Sequence, residues 1–214
     1  APYVERLLSH LDGDLERAER LVAEMLARRD QWLRYVAPPD RNQLRPLLEQ
    51  GLERTLREEL QGLCRAFPTS AHAALLDLSR YASGHGNQDL APLVALPGMP
   101  GSEPEHLQAW RAVRRFLLTS SDDFRKRVDQ RQGFPPAGKG PGSQERKFYK
   151  EKFQALCGVL AEDEDLAERL AGVDRLPPPV YEDRQWEGLE AFFEVLLLAT
   201  GQLVRLAPGQ LGQL

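Results

Sequence analysis

Apolar residues along this chain recur every three or four positions, in runs that stop at proline or glycine. The longest run is Leu44, Leu48, Leu52, Leu56, Leu60, Leu63 and Phe67, the one-sided stripe of an amphipathic helix. Trp186, Leu189, Phe193, Leu196, Thr200 and Leu203 step in the same way and predict a last long helix that offers a seam to its neighbours. Leu107, Trp110, Val113, Arg114 and Leu117 fall on one side of a third helix, between Pro104 and Leu118.

The breakers set the boundaries. A short helix over residues 2–11 ends at Asp12-Gly13. Asp14 caps a second that runs to about Val36, where Pro38-Pro39 stops it, because a proline restricts its predecessor and donates no backbone hydrogen bond. Asp40 is the expected cap of the helix reaching Phe67. Pro68-Thr69-Ser70 is a stop followed by a cap, and the next helix ends near Gly84. Helices over 144–161 and 163–172 follow, with Glu162-Asp163-Glu164-Asp165 at the second start, where negative charge is favoured. After Pro177-Pro178-Pro179, Asp183 caps the last helix. Gly and Pro cluster in 84–103 and 132–143, which predicts irregular segments with few packed contacts and one short helix from Asn87. The expectation is an all-α chain, 1–214 as one domain. About eight helices form an irregular orthogonal bundle, with no significant sheet beyond a short pairing near 119–128.

Composition sharpens the class. The chain has 36 Leu and 23 Arg but no Ile, with only 11 Val and 4 Thr. Residues suited to a helix dominate over those that favour a pleated sheet. At 42% hydrophobic and 28% charged, the 214 residues can bury a core, which excludes collagen-like and wholly disordered chains. The longest apolar run, Val195–Ala199, is far short of the ~20 residues of a membrane span. With no leader and no opening Met, the expectation is a fragment of a cytoplasmic protein with no membrane partner. Cys64 and Cys157 sit at helical spacing among apolar residues and predict small buried thiols, not a disulfide framework.

Charge changes the picture more. The net charge is −4, yet all five Lys lie in residues 125–152. That stretch holds nine basic and three acidic residues, Asp129, Glu145 and Glu151, for a net of +6; the other 186 residues therefore carry −10. A basic segment in an acidic body is what attracts a polyanion, because the local field outweighs the overall charge at close range. A solvated loop with no partner is the alternative at this point.

Catalytic chemistry is not visible. In Gly138-Lys139-Gly140-Pro141-Gly142-Ser143 the lysine comes too early for a Walker loop, and Pro141 removes a backbone donor. His10, His72, His85 and His106 are widely separated, with His10 and His72 expected on helix surfaces and His85 in an exposed loop. No metal-ligand spacing and no nucleophile elbow occurs. Catalytic, cofactor and metal residues are therefore expected to be absent from this chain.

Three stretches carry a resemblance. They are Arg28-Arg29-Asp30-Gln31-Trp32-Leu33-Arg34; then Leu117-Leu118-Thr119, Phe124-Arg125-Lys126-Arg127 and Gly133-Phe134-Pro135-Pro136; and finally Leu176-Pro177-Pro178-Pro179-Val180-Tyr181 with Gln185-Trp186 and the helix Leu189–Leu206. In this order the chain resembles, over nearly its whole length, the segment between Walker A and Walker B of UvrD/RecB/AddA-like superfamily 1 DNA helicases, nearest to exonuclease V beta-subunit-like chains. The resemblance implies the helical subdomain 1B, an accessory arm that holds duplex DNA ahead of the fork in recombinational repair. It also implies that the ATP site, the Mg ligands and the hydrolase activity lie in the parent chain outside these residues. The expected partners are double-stranded DNA, bound weakly and without sequence preference, and the other domains of the same helicase.

Arg125, Lys126, Arg127, Arg131, Lys147 and Lys150 are the expected phosphate contacts, which position a protein on a duplex without reading its sequence. Phe134 and Tyr149 lie in the same stretch, as core anchors or as surfaces for a sugar or base. The competing expectation is a protein-docking arm that grips a partner nuclease subunit or the second motor domain through an apolar, salt-insensitive seam.

Overall fold

The computed structural model describes residues 2–36 and 43–210. It is all-α: α1 Pro2–His10, α2 Leu15–Ala27, α3 Arg29–Val36, α4 Leu44–Ala66, α5 Thr69–Gly84, α6 Ala91–Val94, α7 Leu107–Leu117, α8 Ser143–Leu160, α9 Glu164–Gly172 and α10 Asp183–Gln210. Among the described residues there is no strand. The single β-contact is an antiparallel bridge between Leu118 and Phe124, at the edge of the expected short pairing.

Ten helices among the described residues replace the expected eight, for two local reasons. The segment from Asp14 breaks at Arg28, whose N–H reaches back to the Met25 and Leu26 carbonyls. The Trp32 indole N–H donates to the Met25 carbonyl at 2.5 Å, so a side chain from α3 satisfies the exposed end of α2. The other addition is α6, the short helix expected from Asn87 outside the count of eight, a single turn opened by Pro92 near its start. Asp40 and Pro38-Pro39 lie outside the described residues. The expected cap after Pro68 is absent: α5 starts at Thr69 on the extended backbone of Pro68, with no side-chain cap.

The packing divides the chain into two compact units, one of residues 1–51 with 180–214 and one of residues 52–179. In the first, Trp32, Leu44, Phe193 and Leu196 form the core, with Val22, Met25, Leu48, Trp186 and Leu189 half-buried around it. Here α1 lies along α10, and the His10 ring comes to about 3.0 Å of where a Cβ on Gly188 would stand. His10 is thus half-buried against a helix and not on an open surface. Arg45 joins the starts of α4 and α10: it donates to Glu49 at 2.9 Å, to Asp183 at 3.0 Å and to the Tyr181 carbonyl at 2.6 Å. Its guanidinium also lies over Trp186, 5.7 Å from the ring centroid.

The second unit is built around α7, which buries Leu107, Ala109, Trp110, Ala112, Val113, Phe116 and Leu117. Phe116, Phe134 and Phe153 meet with centroids 5.1–6.1 Å apart. Phe134 is a core anchor, and Tyr149 stacks on Tyr81 at 3.7 Å. The expectation of few packed contacts in 84–103 is overturned. Leu90 and Leu93 are fully buried, and Val94 and Met99 pack on the same core, because these larger apolar side chains between the breakers turn inward.

Candidate nucleic-acid interface

The basic stretch starts where α7 ends. Leu118 pairs with Phe124 around a tight turn in which the Thr119 hydroxyl accepts from the Ser121 and Asp123 N–H groups, both at 3.3 Å. Asp122, at φ +62°, is held there by Arg114, which also pairs with Asp174 at 3.3 Å. The chain then runs as an extended strap, residues 125–128, alongside α8.

Along the strap, the two outer side chains serve the fold and the two between them face water. The Arg125 N–H donates to the Leu117 carbonyl at 2.8 Å, and its guanidinium donates to the Arg115 carbonyl at 3.2 Å. Its Nε is buried without a partner, and burial pulls the guanidinium below its usual pKa. Lys126 and Arg127 are exposed, and Val128 packs on the core. Gln154 of α8 donates to the Lys126 carbonyl at 3.1 Å, which seats the strap against that helix.

Lys147, Lys150 and Gln154 fall on one side of α8, because steps of three and four residues return to the same side of a helix. Lys126 and Arg127 therefore stand exposed where the strap meets this side of α8 at Gln154, and Lys126 lines a cleft with Asp123 and Asp163. Lys147 pairs with Glu151 at 3.7 Å, both well exposed, a geometry in which water screens most of the attraction.

The other two expected contacts are placed differently. Arg125 is turned inward. Arg131 is exposed in a 3-10 turn, Gln130–Gln132, which is tied to the end of α5 by the Asn87 side chain donating to the Gln132 carbonyl at 3.1 Å. Next to it Gly133, at φ +85°, rests on Ala82: a Cβ would stand 2.3 Å from the Ala82 carbonyl oxygen.

Two more basic residues of the stretch hold the fold together. Arg146 donates through two nitrogens to the Ala137 carbonyl, at 3.2 and 3.3 Å. Lys152 pairs with Asp77 at 2.6 Å and approaches the Phe148 and Tyr149 rings. Sequence reasoning missed Gln154 and Phe148. Gln154 carries no charge, but its position four residues after Lys150 was a usable signal. Phe148, not its neighbour Tyr149, is the exposed ring.

Elsewhere the described residues offer little chemistry. A cleft of about 380 Å³ between α4 and α9 is lined by Glu59, Leu63, Glu168, Arg169 and Arg175, with its charges mixed in sign. No group of three His, Cys, Asp or Glu side chains among the described residues is placed to hold a metal. Cys157 is buried and its thiol is pushed up to about 12, and burial also raises Cys64. No described helix is long and apolar enough to cross a membrane. No protein-family model, curated protein sequence or solved structure matches the chain.

Proposed function

We propose that this chain is the accessory duplex-DNA-binding arm, subdomain 1B, of an ATP-dependent DNA helicase/exonuclease of the UvrD/RecB type. The parent chain supplies the ATP and Mg sites and the other domains the arm works with. The observation that carries the reading is the exposure of Lys126 and Arg127 where the strap is seated on α8, the helix that also carries Lys147 and Lys150. A row of cations fits the regularly spaced phosphates of a duplex and carries no base readout. The order of the three family-like stretches supports the parent context.

The test is fluorescence anisotropy of the chain on duplex DNA, alone and within the longer helicase, at 50 and 200 mM salt. Four neutralised phosphates give a slope of about −3.6 in log affinity against log salt, on the order of a hundredfold weakening over that range. Affinity independent of salt would falsify the duplex reading.

One observation favours a second reading, a helical arm that docks a partner nuclease subunit or the second motor domain. Phe148 and Val159, at 56% and 48% exposure, lie with exposed Ala155 along a single stripe of α8. Salt-insensitive binding to such a partner, lost in Phe148→Ser, is the result that would favour it.

A further inference from the structure

We propose that Arg125 is a positioning residue of this basic stretch, one of two clamps that hold the strap, and not one of its phosphate contacts; the inference rests on the duplex reading above. The strap has little regular structure of its own. Its backbone is fixed at Leu117 by the Arg125 N–H, and its far end by Val128 in the core. Two side chains fix what lies between: Arg125 on the Arg115 carbonyl and Gln154 on the Lys126 carbonyl.

The Arg115 carbonyl belongs to the last turn of α7, where carbonyls lack an intrahelical donor. A cation at a helix C-terminus is also favoured by the helix dipole. Arg125 therefore already has an electrostatic partner inside the protein, and its Nε is closed off from solvent. A phosphate that took this guanidinium would compete with the end of α7 for it. Lys126 and Arg127, next in the chain, are the ones left facing water.

The two roles leave different signatures. Removing a phosphate contact lowers affinity and also flattens the salt slope, by about 0.9 for each contact on B-DNA. Loosening a clamp leaves every contact available in the complex but makes binding order a mobile strap, so affinity falls while the slope stays. Gln154 provides the parallel case, since a neutral side chain has no salt-dependent contact to lose.

The experiment measures duplex affinity over a salt series for Arg125→Met, Gln154→Ala, Lys126→Ala and Arg127→Ala in the full chain. Amide hydrogen exchange across residues 125–128 is followed in parallel without DNA. We expect Arg125→Met and Gln154→Ala each to weaken binding several-fold with an unchanged slope and faster exchange of the residue-125 amide, which is bonded to the Leu117 carbonyl. Lys126→Ala and Arg127→Ala should each flatten the slope by about 0.9 and leave exchange as it was. If Arg125→Met flattens the slope as Lys126→Ala does, Arg125 is a contact and the proposal fails while the duplex reading stands. If exchange of the residue-125 amide is unchanged in both clamp variants, the proposal fails as well. If neither lysine nor arginine replacement at 126 and 127 moves the slope, the duplex reading itself is lost. Should Arg125→Met fold poorly by circular dichroism, Gln154→Ala carries the same signature at an exposed position and decides the matter.

Discussion

In the unit of residues 52–179, three phenylalanines contributed by α7, α8 and an irregular segment meet in one dry cluster, and loops close over it. The unit of residues 1–51 and 180–214 has its largest core rings, Trp32 and Phe193, at the margin of burial, at 8% and 9% exposure. There a charged network around Arg45 fastens the helix starts. The first device depends on shape. Removing atoms from it leaves a void that neighbours fill only in part, so it resists change at single positions. The second depends on charge and on long apolar stripes that can adjust along their length. Stripes with a charged clasp thus suffice to assemble helices, while an irregular segment is packed by the large apolar side chains it turns into a core.

The sharpest way to break this comparison is truncation at each core. Phe153→Ala should destabilise its unit by about 3–5 kcal/mol, and Phe193→Ala its own by about 2 kcal/mol. Denaturant melts followed by hydrogen exchange helix by helix measure both, and equal losses would erase the distinction.

Next in size are the two glycines in close contact. At Gly133 an added methyl meets backbone, the Ala82 carbonyl, in a left-handed conformation. Gly133→Ala should cost at least about 2 kcal/mol. At Gly188 the methyl meets the His10 ring, a side chain that can swing aside, and alanine gains about 1 kcal/mol in a helix interior. Gly188→Ala should therefore leave the melting temperature nearly unchanged, and a large drop there would show that His10 is held rigidly.

The helix caps should not distinguish the units. Asp14 accepts from the Arg17 N–H at 2.9 Å and Asp163 from the Asp165 N–H at 3.0 Å. Asp14→Ala and Asp163→Ala should each cost about 1 kcal/mol, read from the same melts.

The smallest effect is on acid stability. Hydrogen bonds from Arg45, first, and from the Tyr181 N–H hold the Glu49 carboxyl below its ordinary value near 4.5. A carboxyl depressed in the folded state stabilises it above that ordinary value, and the contribution is lost as pH falls through the folded value. Glu49→Gln should flatten the acid limb of the first unit's stability curve and leave that of the second unaltered.

Much of this architecture is legible in the sequence. The bounds of α5, α8 and α9 and the end of α4 follow breakers and caps to within a residue or two, since these are local effects of proline, glycine and aspartate. What escaped depends on groups remote from one another. The break at Arg28 needs the Trp32 indole to reach a carbonyl seven residues back, a distance that leaves no trace in apolar periodicity. The burial of Leu90 and Leu93 was masked by the Gly and Pro around them, because breakers announce irregular backbone but say nothing of where its side chains point. At the basic stretch the charge was plain, but its division was not. Arg125 serves α7, Arg146 the Ala137 carbonyl and Lys152 Asp77. Those choices follow from which carbonyls and carboxylates the fold leaves nearby.

The glycine-rich run before α8 is fastened at both ends. Arg146 holds the Ala137 carbonyl, and the Ser143 hydroxyl donates to the Gly138 carbonyl at 2.8 Å. The residues between are exposed and held by local turn bonds, such as that from the Ser143 N–H to the Gly140 carbonyl at 3.1 Å. Closing a longer loop costs only about 0.6 kcal/mol for each doubling of length, so this stretch is a natural port for insertion. A dye, a crosslinker or a whole tag spliced between Lys139 and Pro141 would ride within the basic stretch and report on whatever comes to rest there, with the fold beneath it undisturbed.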